Sequence, residues 1–171
     1  TISRRLASLR SFFRFCKREG LVAENPAKPL RNPRKHRRLP HFLSNEEIGR
    51  LLEAPEQDTP FGCRDRAILE TIYSGGLRVG ELVGLNISDL QLDEGLVRVR
   101  GKGKKERFCL LGKYAVSAVQ AWIQRRNVKM KDGPDAPVFT NKMGTRLSSR
   151  SVRRMVEKYI AITGLDSRTS P

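Results

Sequence analysis

Two cationic side chains, Arg78 and Lys102, lie in a glycine-rich stretch of the chain and could act together on a phosphate group. The glycine pair at 75–76 is expected to end one helix, because glycine adopts a positive φ at a helix C-terminus without steric cost. The apolar residues within 79–83 then repeat with helical spacing, which places Arg78 in the first turn of the next helix. A guanidinium beside free backbone N–H groups is suited to phosphate binding.

Lys102 is predicted to lie at the tip of a small antiparallel meander. Residues 90–92 and Leu96–Arg100 are expected to form strands around a turn at 93–95, and a second turn covers 101–105. Because glycines flank Lys102, the backbone and the ammonium group can both approach a ligand closely. The spacing differs from that of a Walker-type phosphate loop, so this kind of nucleotide site is excluded.

The motifs Gly-Leu-Arg-Val-Gly-Glu-Leu and Gly-Lys-Gly together resemble the tyrosine recombinase (integrase) family, and most closely its Xer branch. In that family the arginine grips the scissile phosphate, and a lysine on a hairpin tip is the general acid. The resemblance therefore implies that Arg78 and Lys102 are catalytic and that Glu81 helps to orient the arginine. It also implies transesterification by a tyrosine, with no metal, no ATP and no other cofactor.

The resemblance covers nearly the whole chain but stops before the family's His-x-x-Arg box and its tyrosine nucleophile. None of the tyrosines present is expected to replace that nucleophile. Tyr73 is predicted to face the core at a helix end, Tyr114 to begin a helix, and Tyr159 to lie on an apolar stripe. We therefore expect residues 1–171 to be a fragment, open at both ends, that binds DNA without cleaving it.

The composition indicates a polyanionic partner. The 171 residues contain 34 Lys and Arg against 18 Asp and Glu, for a net charge of +16. On this charge, nucleic acid, and here double-stranded DNA, is favoured over a membrane. No apolar run is long enough to span a bilayer. The N-terminus lacks the features of a secretory signal, so a cytoplasmic location is expected. The three cysteines are widely spaced and odd in number, which is typical of reduced thiols and not of a structural metal site.

The first 40 residues are expected to contact DNA outside the catalytic unit. Residues 2–19 form an amphipathic basic helix, with Arg4 and Arg5 as predicted DNA contacts. By resemblance, 1–25 is the C-terminal part of an N-terminal helical core-binding domain, and the partners of its apolar stripe lie elsewhere. Residues 26–40 are rich in proline and in basic side chains. This composition predicts a semi-extended linker that follows the DNA backbone, with a solvated tether as the alternative. The linker side chains assigned to DNA are Arg34, Lys35, Arg37 and Arg38.

Residues 41–171 are predicted to be the N-terminal portion of a recombinase catalytic domain, mainly α with a small antiparallel β-sheet (α+β). Ser44 and Glu47 form a capping box for a helix to about residue 54, and further helices cover 62–74 and 113–130. Trp122, in the last of these, is expected to be a core residue rather than a base-stacking platform.

A final helix is capped by Ser148 and ended by Gly164. Arginines in its first turn suit a helix that enters a DNA major groove, so Arg150 is the predicted base contact. Arg146 and Arg153 are predicted to lie nearer phosphate, and a merely solvated basic face is the alternative. Lys104, on the hairpin turn, is a further predicted DNA contact.

The function that we predict is site-specific DNA recombination through a phosphotyrosyl intermediate, with chromosome or plasmid dimer resolution as the biological role. The expected assembly is a tetramer of protomers on paired sites, and a second related recombinase is a candidate member of it. A phage or transposon integrase is the alternative within the family. A non-catalytic DNA-binding or architectural protein is the alternative outside it, since charge and an arginine-faced helix would suffice for that role.

Overall fold

The computed structural model describes residues 2–33, 42–101, 103, 105–126 and 133–166. The chain divides into two compact units, Thr1–Pro40 and His41–Pro171. The first unit contains helix α1 (Ile2–Arg18). The described residues of the second contain α2 (Asn45–Glu53), α3 (Pro60–Gly75), α4 (Val79–Gly84), β1 (Leu90–Gln91), β2 (Leu96–Arg100), β3 (Glu106–Leu110), α5 (Lys113–Arg125) and α6 (Ser149–Thr163). This helix-rich architecture with a small antiparallel sheet confirms the predicted fold class.

In the first unit, the chain turns back onto α1 after the helix ends. Gly20 takes a φ of 72° at this point, in the left-handed region that glycine favours. Asn25 Nδ2 donates to the carbonyl of Arg10 at 3.0 Å, and the Arg10 guanidinium donates to the carbonyls of Ala27 and Leu30. The first residues of the predicted linker therefore lie against α1, where one arginine satisfies two of their carbonyls. The boundary at residue 25 stays a prediction.

Within this unit the apolar stripe of α1 is only partly covered. Leu6 and Cys16 are buried, whereas Ile2 and Leu9 are exposed. A single helix and the short segment behind it provide too little surface to bury a full apolar face.

The described residues of the second unit share a hydrophobic core, to which α3, α5 and α6 contribute many of the buried side chains. The predicted capping box is confirmed: Ser44 Oγ accepts from the Glu47 N–H at 3.2 Å, and the Glu47 carboxylate accepts from the Ser44 N–H at 2.7 Å. Ala67 and Ile68 of α3 are fully buried. None of the helices in the described ranges is long and apolar enough to cross a bilayer.

Helix α5 is shorter than its periodicity predicts. It ends at Arg125, and Arg126 has extended dihedral angles of φ −67° and ψ 134°. In this conformation Arg126 Nη1 donates to the carbonyl of Pro137 at 2.6 Å, a long-range contact that a helical repeat does not encode. Residues 127–130, where the prediction continued, lie outside the described residues. Trp122 is buried and its indole N–H donates to the Val138 carbonyl at 2.8 Å, so its predicted core role is confirmed.

The three strands form an antiparallel sheet in the order β1-β2-β3, which confirms the predicted meander. Val97 and Val99 of β2 are completely buried, and the alternate residues Arg98 and Arg100 lie on the opposite face. Val99 pairs with Arg107 across the β2–β3 ladder. The register thus determines which side chains of β3 face the helices and where the turn at 101–105 begins.

Candidate functional site

Arg78 lies at the junction of α3 and α4, and its side chain is 81% exposed. Gly76 ends α3 with a φ of 58°, and the next residue, Leu77, is buried. Arg78 then has extended angles as the N-cap of α4, as predicted from its spacing. Because Leu82 is fully buried and α4 packs against α3, α6 and β2, the backbone that carries Arg78 is held on several sides.

Glu81, on the first turn of α4, is the group that Arg78 touches. Its carboxylate accepts from the backbone N–H of Arg78 at 2.9 Å and from Arg78 Nη1 at 3.3 Å. The side chain of Glu81 is only 8% exposed. The structure therefore brings together the predicted phosphate-binding arginine and its predicted acidic partner, although the contact between the two side chains is long for a charge-assisted hydrogen bond.

Arg107 of β3 makes the stronger contact with Glu81, and the sequence interpretation gave this residue no role. Its Nη1 and Nη2 donate to the two carboxylate oxygens at 2.8 and 2.9 Å, in a bidentate pair. This hydrogen bonding is the main reason that the pKa of Glu81 falls to about 2, and it also raises the pKa of Arg107. The available signal was strand alternation, since residues 107 and 109 share the face of β3 that pairs with the inward face of β2.

The base of the hairpin turn lies beside this ion pair. A Cβ added to Gly101 would be 3.8 Å from both Glu81 Oε1 and Arg107 Nη1. The turn is closed by the Gly101 N–H, which donates to the Lys105 carbonyl at 2.8 Å. Lys102 and Lys104 lie outside the described residues, so their predicted roles stay predictions. Gly101, which precedes Lys102, nevertheless lies next to the Glu81 carboxylate, which contacts Arg78.

A second ionic cluster supports the outer face of the sheet. Asp89 is 2% exposed, and its Oδ1 accepts from Arg98 Nε at 3.1 Å. The same oxygen forms an ion pair with Arg100, whose Nη2 lies 3.2 Å away. The other oxygen of Asp89 accepts from the Asn86 N–H at 3.0 Å. Arg100 also binds Glu106 across the ladder. This cluster ties the loop after α4 to the strand that leads into the hairpin turn, and sequence reasoning did not identify it.

Helix α6 presents the predicted DNA-contact arginines. Ser148 is its N-cap and accepts from the Ser151 N–H at 3.1 Å, as predicted. Arg150 and Arg153 are exposed and make no hydrogen bond or ion pair with the described part of the chain. Arg146 is different, since its guanidinium donates to the carbonyls of Val83 and Leu85 and to Asn86 Oδ1, at 2.8, 3.1 and 2.5 Å.

These bonds give Arg146 a structural task, because they satisfy backbone carbonyls at the C-terminal end of α4. Its predicted proximity to phosphate stays a prediction, as do the roles of Arg150 and Arg153. In the first unit Arg4 and Arg5 are exposed on α1. The predicted DNA contacts of the linker lie outside the described residues; they are Arg34, Lys35, Arg37 and Arg38.

One tyrosine differs from its prediction. Tyr73 is 57% exposed and does not face the core, since it lies in the last turn of α3, past Thr71, where the buried residues of the helix end. Tyr114 begins α5 as expected. Tyr159 is 4% exposed and donates to Asp65 Oδ2 at 3.1 Å, while burial raises its pKa. A phenol held in this way is unsuited to nucleophilic attack.

The cysteines are free: Cys16 and Cys63 are buried and Cys109 is half-buried. Within the described ranges, no group of three His, Cys, Asp or Glu side chains could hold a metal ion.

A profile of the phage integrase family matches residues 41–171, and the chain therefore belongs to this family. It is 43% identical to the tyrosine recombinase XerC of Natranaerobius thermophilus over the full chain, which covers 58% of that protein. The crystal structure of XerA recombinase gives a TM-score of 0.68 at 26% identity, over 100% of this chain and 58% of that one.

A XerH recombinase, solved in a pre-cleavage complex with its difH substrate, gives a TM-score of 0.61 at 30% identity. The match covers 75% of this chain and 38% of XerH. Together these relatives confirm the predicted Xer branch of the tyrosine recombinases. The chain spans little more than half of the curated relative that it matches, 58%.

Proposed function

We propose that the protein containing this chain carries out site-specific DNA recombination, in which a tyrosine attacks a DNA phosphate and forms a phosphotyrosyl link. The observation that supports this most directly is the solvent-facing guanidinium of Arg78, held at the start of α4 beside the Glu81–Arg107 pair. The relatives named XerC and the DNA complex of XerH support the same class of reaction.

In this proposal Arg78 binds the non-bridging oxygens of the scissile phosphate. Its charge and its planar donors stabilise the phosphorane-like transition state as the phenolic oxygen bonds to phosphorus and the bond to the 5′ oxygen breaks. Lys102 gives its proton to the departing 5′ oxygen, a contribution that general acids make at about 10²–10⁴-fold. The position of Gly101 beside Glu81 supports a common site for the two residues.

The two roles are separated by changing the leaving group in the full-length gene product. Replacing the bridging 5′ oxygen by sulfur gives a group that departs without a proton. Lys102→Ala should block cleavage of the ordinary substrate but be substantially rescued by sulfur, whereas Arg78→Ala should not be rescued, because sulfur supplies neither charge stabilisation nor orientation. Equal rescue of both variants, or of neither, would contradict the separate roles assigned to them.

Residues 1–171 by themselves are proposed to bind duplex DNA without forming a covalent adduct, since they contain no His-x-x-Arg box and Tyr159 is buried. A nicked suicide substrate measures this directly: denaturing electrophoresis should show no adduct with residues 1–171 and an adduct with the full-length gene product. Absence of an adduct in both, with DNA binding intact, would favour the non-catalytic architectural alternative.

The biological role that we propose is resolution of chromosome or plasmid dimers by a cytoplasmic tetramer of protomers on paired sites, with a second related recombinase as a candidate partner. The names of the XerC relatives support this role over that of a mobile-element integrase. A test is conversion of a plasmid dimer to monomers in cells with and without the gene. Transfer of a donor segment into a new site, without dimer resolution, would support the integrase alternative.

A further inference from the structure

Glu81 lies between two arginines that use its carboxylate very unequally. Arg107 binds both oxygens at 2.8 and 2.9 Å, whereas Arg78 reaches one oxygen with one nitrogen at 3.3 Å. Arg78 precedes Glu81 by three residues, so both arginines reach the same carboxylate. Arg107 makes the shorter contacts and the bidentate pair.

The exposure of the side chains follows this division. Arg78 is 81% exposed, and Arg107 is 41% exposed. Position 107 is well supported, since β3 pairs with β2 on one side of the hairpin turn and Val99, its partner in the ladder, is fully buried. Arg107 is thus held on a paired strand while it binds Glu81.

The charges of the three residues show what this arrangement achieves. Glu81 contributes −1 and Arg107 +1, so the pair is neutral and the charge of Arg78 remains uncompensated. Without Arg107, Glu81 would be left as a largely buried carboxylate whose remaining cation among the described residues is Arg78, and an unpaired buried charge is strongly unfavourable. The Arg78 guanidinium would then turn onto Glu81, and both its charge and its donors would be lost to a phosphate.

We propose that Arg107 is a positioning residue that occupies Glu81 and so keeps the Arg78 guanidinium free for the scissile phosphate. The inference rests on the proposed function, in which Arg78 binds that phosphate. It differs from a simple bracing role for the hairpin, because it makes the need for Arg107 depend on the negative charge of Glu81.

A double-mutant cycle in the full-length gene product tests this dependence. Arg107→Gln should lower the single-turnover rate of DNA cleavage at saturating protein by about 10²-fold, the order of loss expected from a misplaced catalytic group, with a smaller change in Kd. In the Glu81→Gln background, which removes the competing charge, Arg107→Gln should lower the cleavage rate by a factor that is at least about tenfold smaller. Arg107→Lys, which retains the charge but not the fork, should lie between wild type and Arg107→Gln.

Equal losses from Arg107→Gln in the two backgrounds would overturn the proposal, as would a wild-type rate for Arg107→Gln. Thermal unfolding of each variant identifies a loss that comes from misfolding. A readout that does not need cleavage is the NMR signal of the Arg78 guanidinium: it should shift in Arg107→Gln and return toward its wild-type position in the double variant. Absence of cleavage by the wild type would refute the proposed function alone, whereas an unshifted Arg78 signal in Arg107→Gln would refute this inference alone.

Discussion

Removal of the Asp89 carboxylate should lower the free energy of unfolding of the second unit substantially, because this one buried group has several partners. Asp89 is 2% exposed, its two oxygens accept from Arg98 Nε and from the backbone N–H of Asn86, and it forms an ion pair with Arg100. Asp89→Ala removes all of these acceptors, leaves the Asn86 N–H unpaired, and leaves a local excess of positive charge.

The magnitude follows from the separate contacts. Hydrogen bonds to charged groups contribute about 1.5–3 kcal/mol when buried. The arginine side chains are 33% and 48% exposed, so each ion pair is discounted toward the surface range of about 0.2–1 kcal/mol. Together with loss of the backbone acceptor, Asp89→Ala should lower the free energy of unfolding by about 2–4 kcal/mol. For a unit of this size that corresponds to a fall in Tm of roughly 8–15 °C.

Thermal and urea unfolding followed by circular dichroism would measure this loss. Asp89→Asn keeps an oxygen that can accept from the Asn86 N–H, so it should cost less than Asp89→Ala, and added salt should reduce the difference between Asp89→Asn and wild type. Asp93→Ala, at an exposed position four residues later, is the matched control and should change stability by less than about 0.5 kcal/mol. An Asp89→Ala variant as stable as Asp93→Ala would refute the reasoning.

Further outcomes are expected for DNA binding, for pH dependence and for Tyr159. Arg150→Ala should relax preference at one or two base pairs by about 1–3 kcal/mol, and equal weakening on specific and random DNA would make Arg150 a phosphate contact. Four linker cations, Arg34, Lys35, Arg37 and Arg38, should be replaced together by Ala. The slope of log affinity against log salt should then flatten by at most roughly four phosphate contacts. An unchanged slope in an anisotropy titration would show that the linker does not contact DNA. The pKa of Glu81 is lowered from 4.5 to about 2. The free energy of unfolding of wild type should therefore exceed that of Glu81→Gln by its full amount above about pH 4.5, and this difference should decline as the pH falls toward 2. A difference that grows on acidification would contradict the assigned ion pair. Tyr159→Phe should cost about 1–3 kcal/mol of stability through the lost bond to Asp65 yet leave cleavage by the folded full-length protein intact, whereas loss of the covalent adduct would make Tyr159 part of the chemistry.

Local patterns in the sequence determined most of the helices and the meander. Ser44 with Glu47 and Ser148 predicted helix starts, and Gly76 and Gly164 predicted helix ends, because capping bonds and left-handed turns depend on residues next to one another. The β2 strand itself was predicted from its residues and the turns on either side, and the alternation of valine and arginine along it agrees with the burial observed there. The same local spacing placed Arg78 at the start of α4 and Glu81 one turn later.

Contacts between distant parts of the chain were decided only by the tertiary structure. Arg107 reaches Glu81 from 26 residues away, and Arg146 reaches Val83 from 63 residues away. Nothing in the local sequence distinguishes these two arginines from solvated ones, because a long arginine side chain can extend into water or to any acceptor that the fold brings near it. The fold also decided the early end of α5 at Arg125 and the exposure of Tyr73. Helix periodicity records which residues share a face, whereas the amount of that face that is covered depends on the elements packed against it.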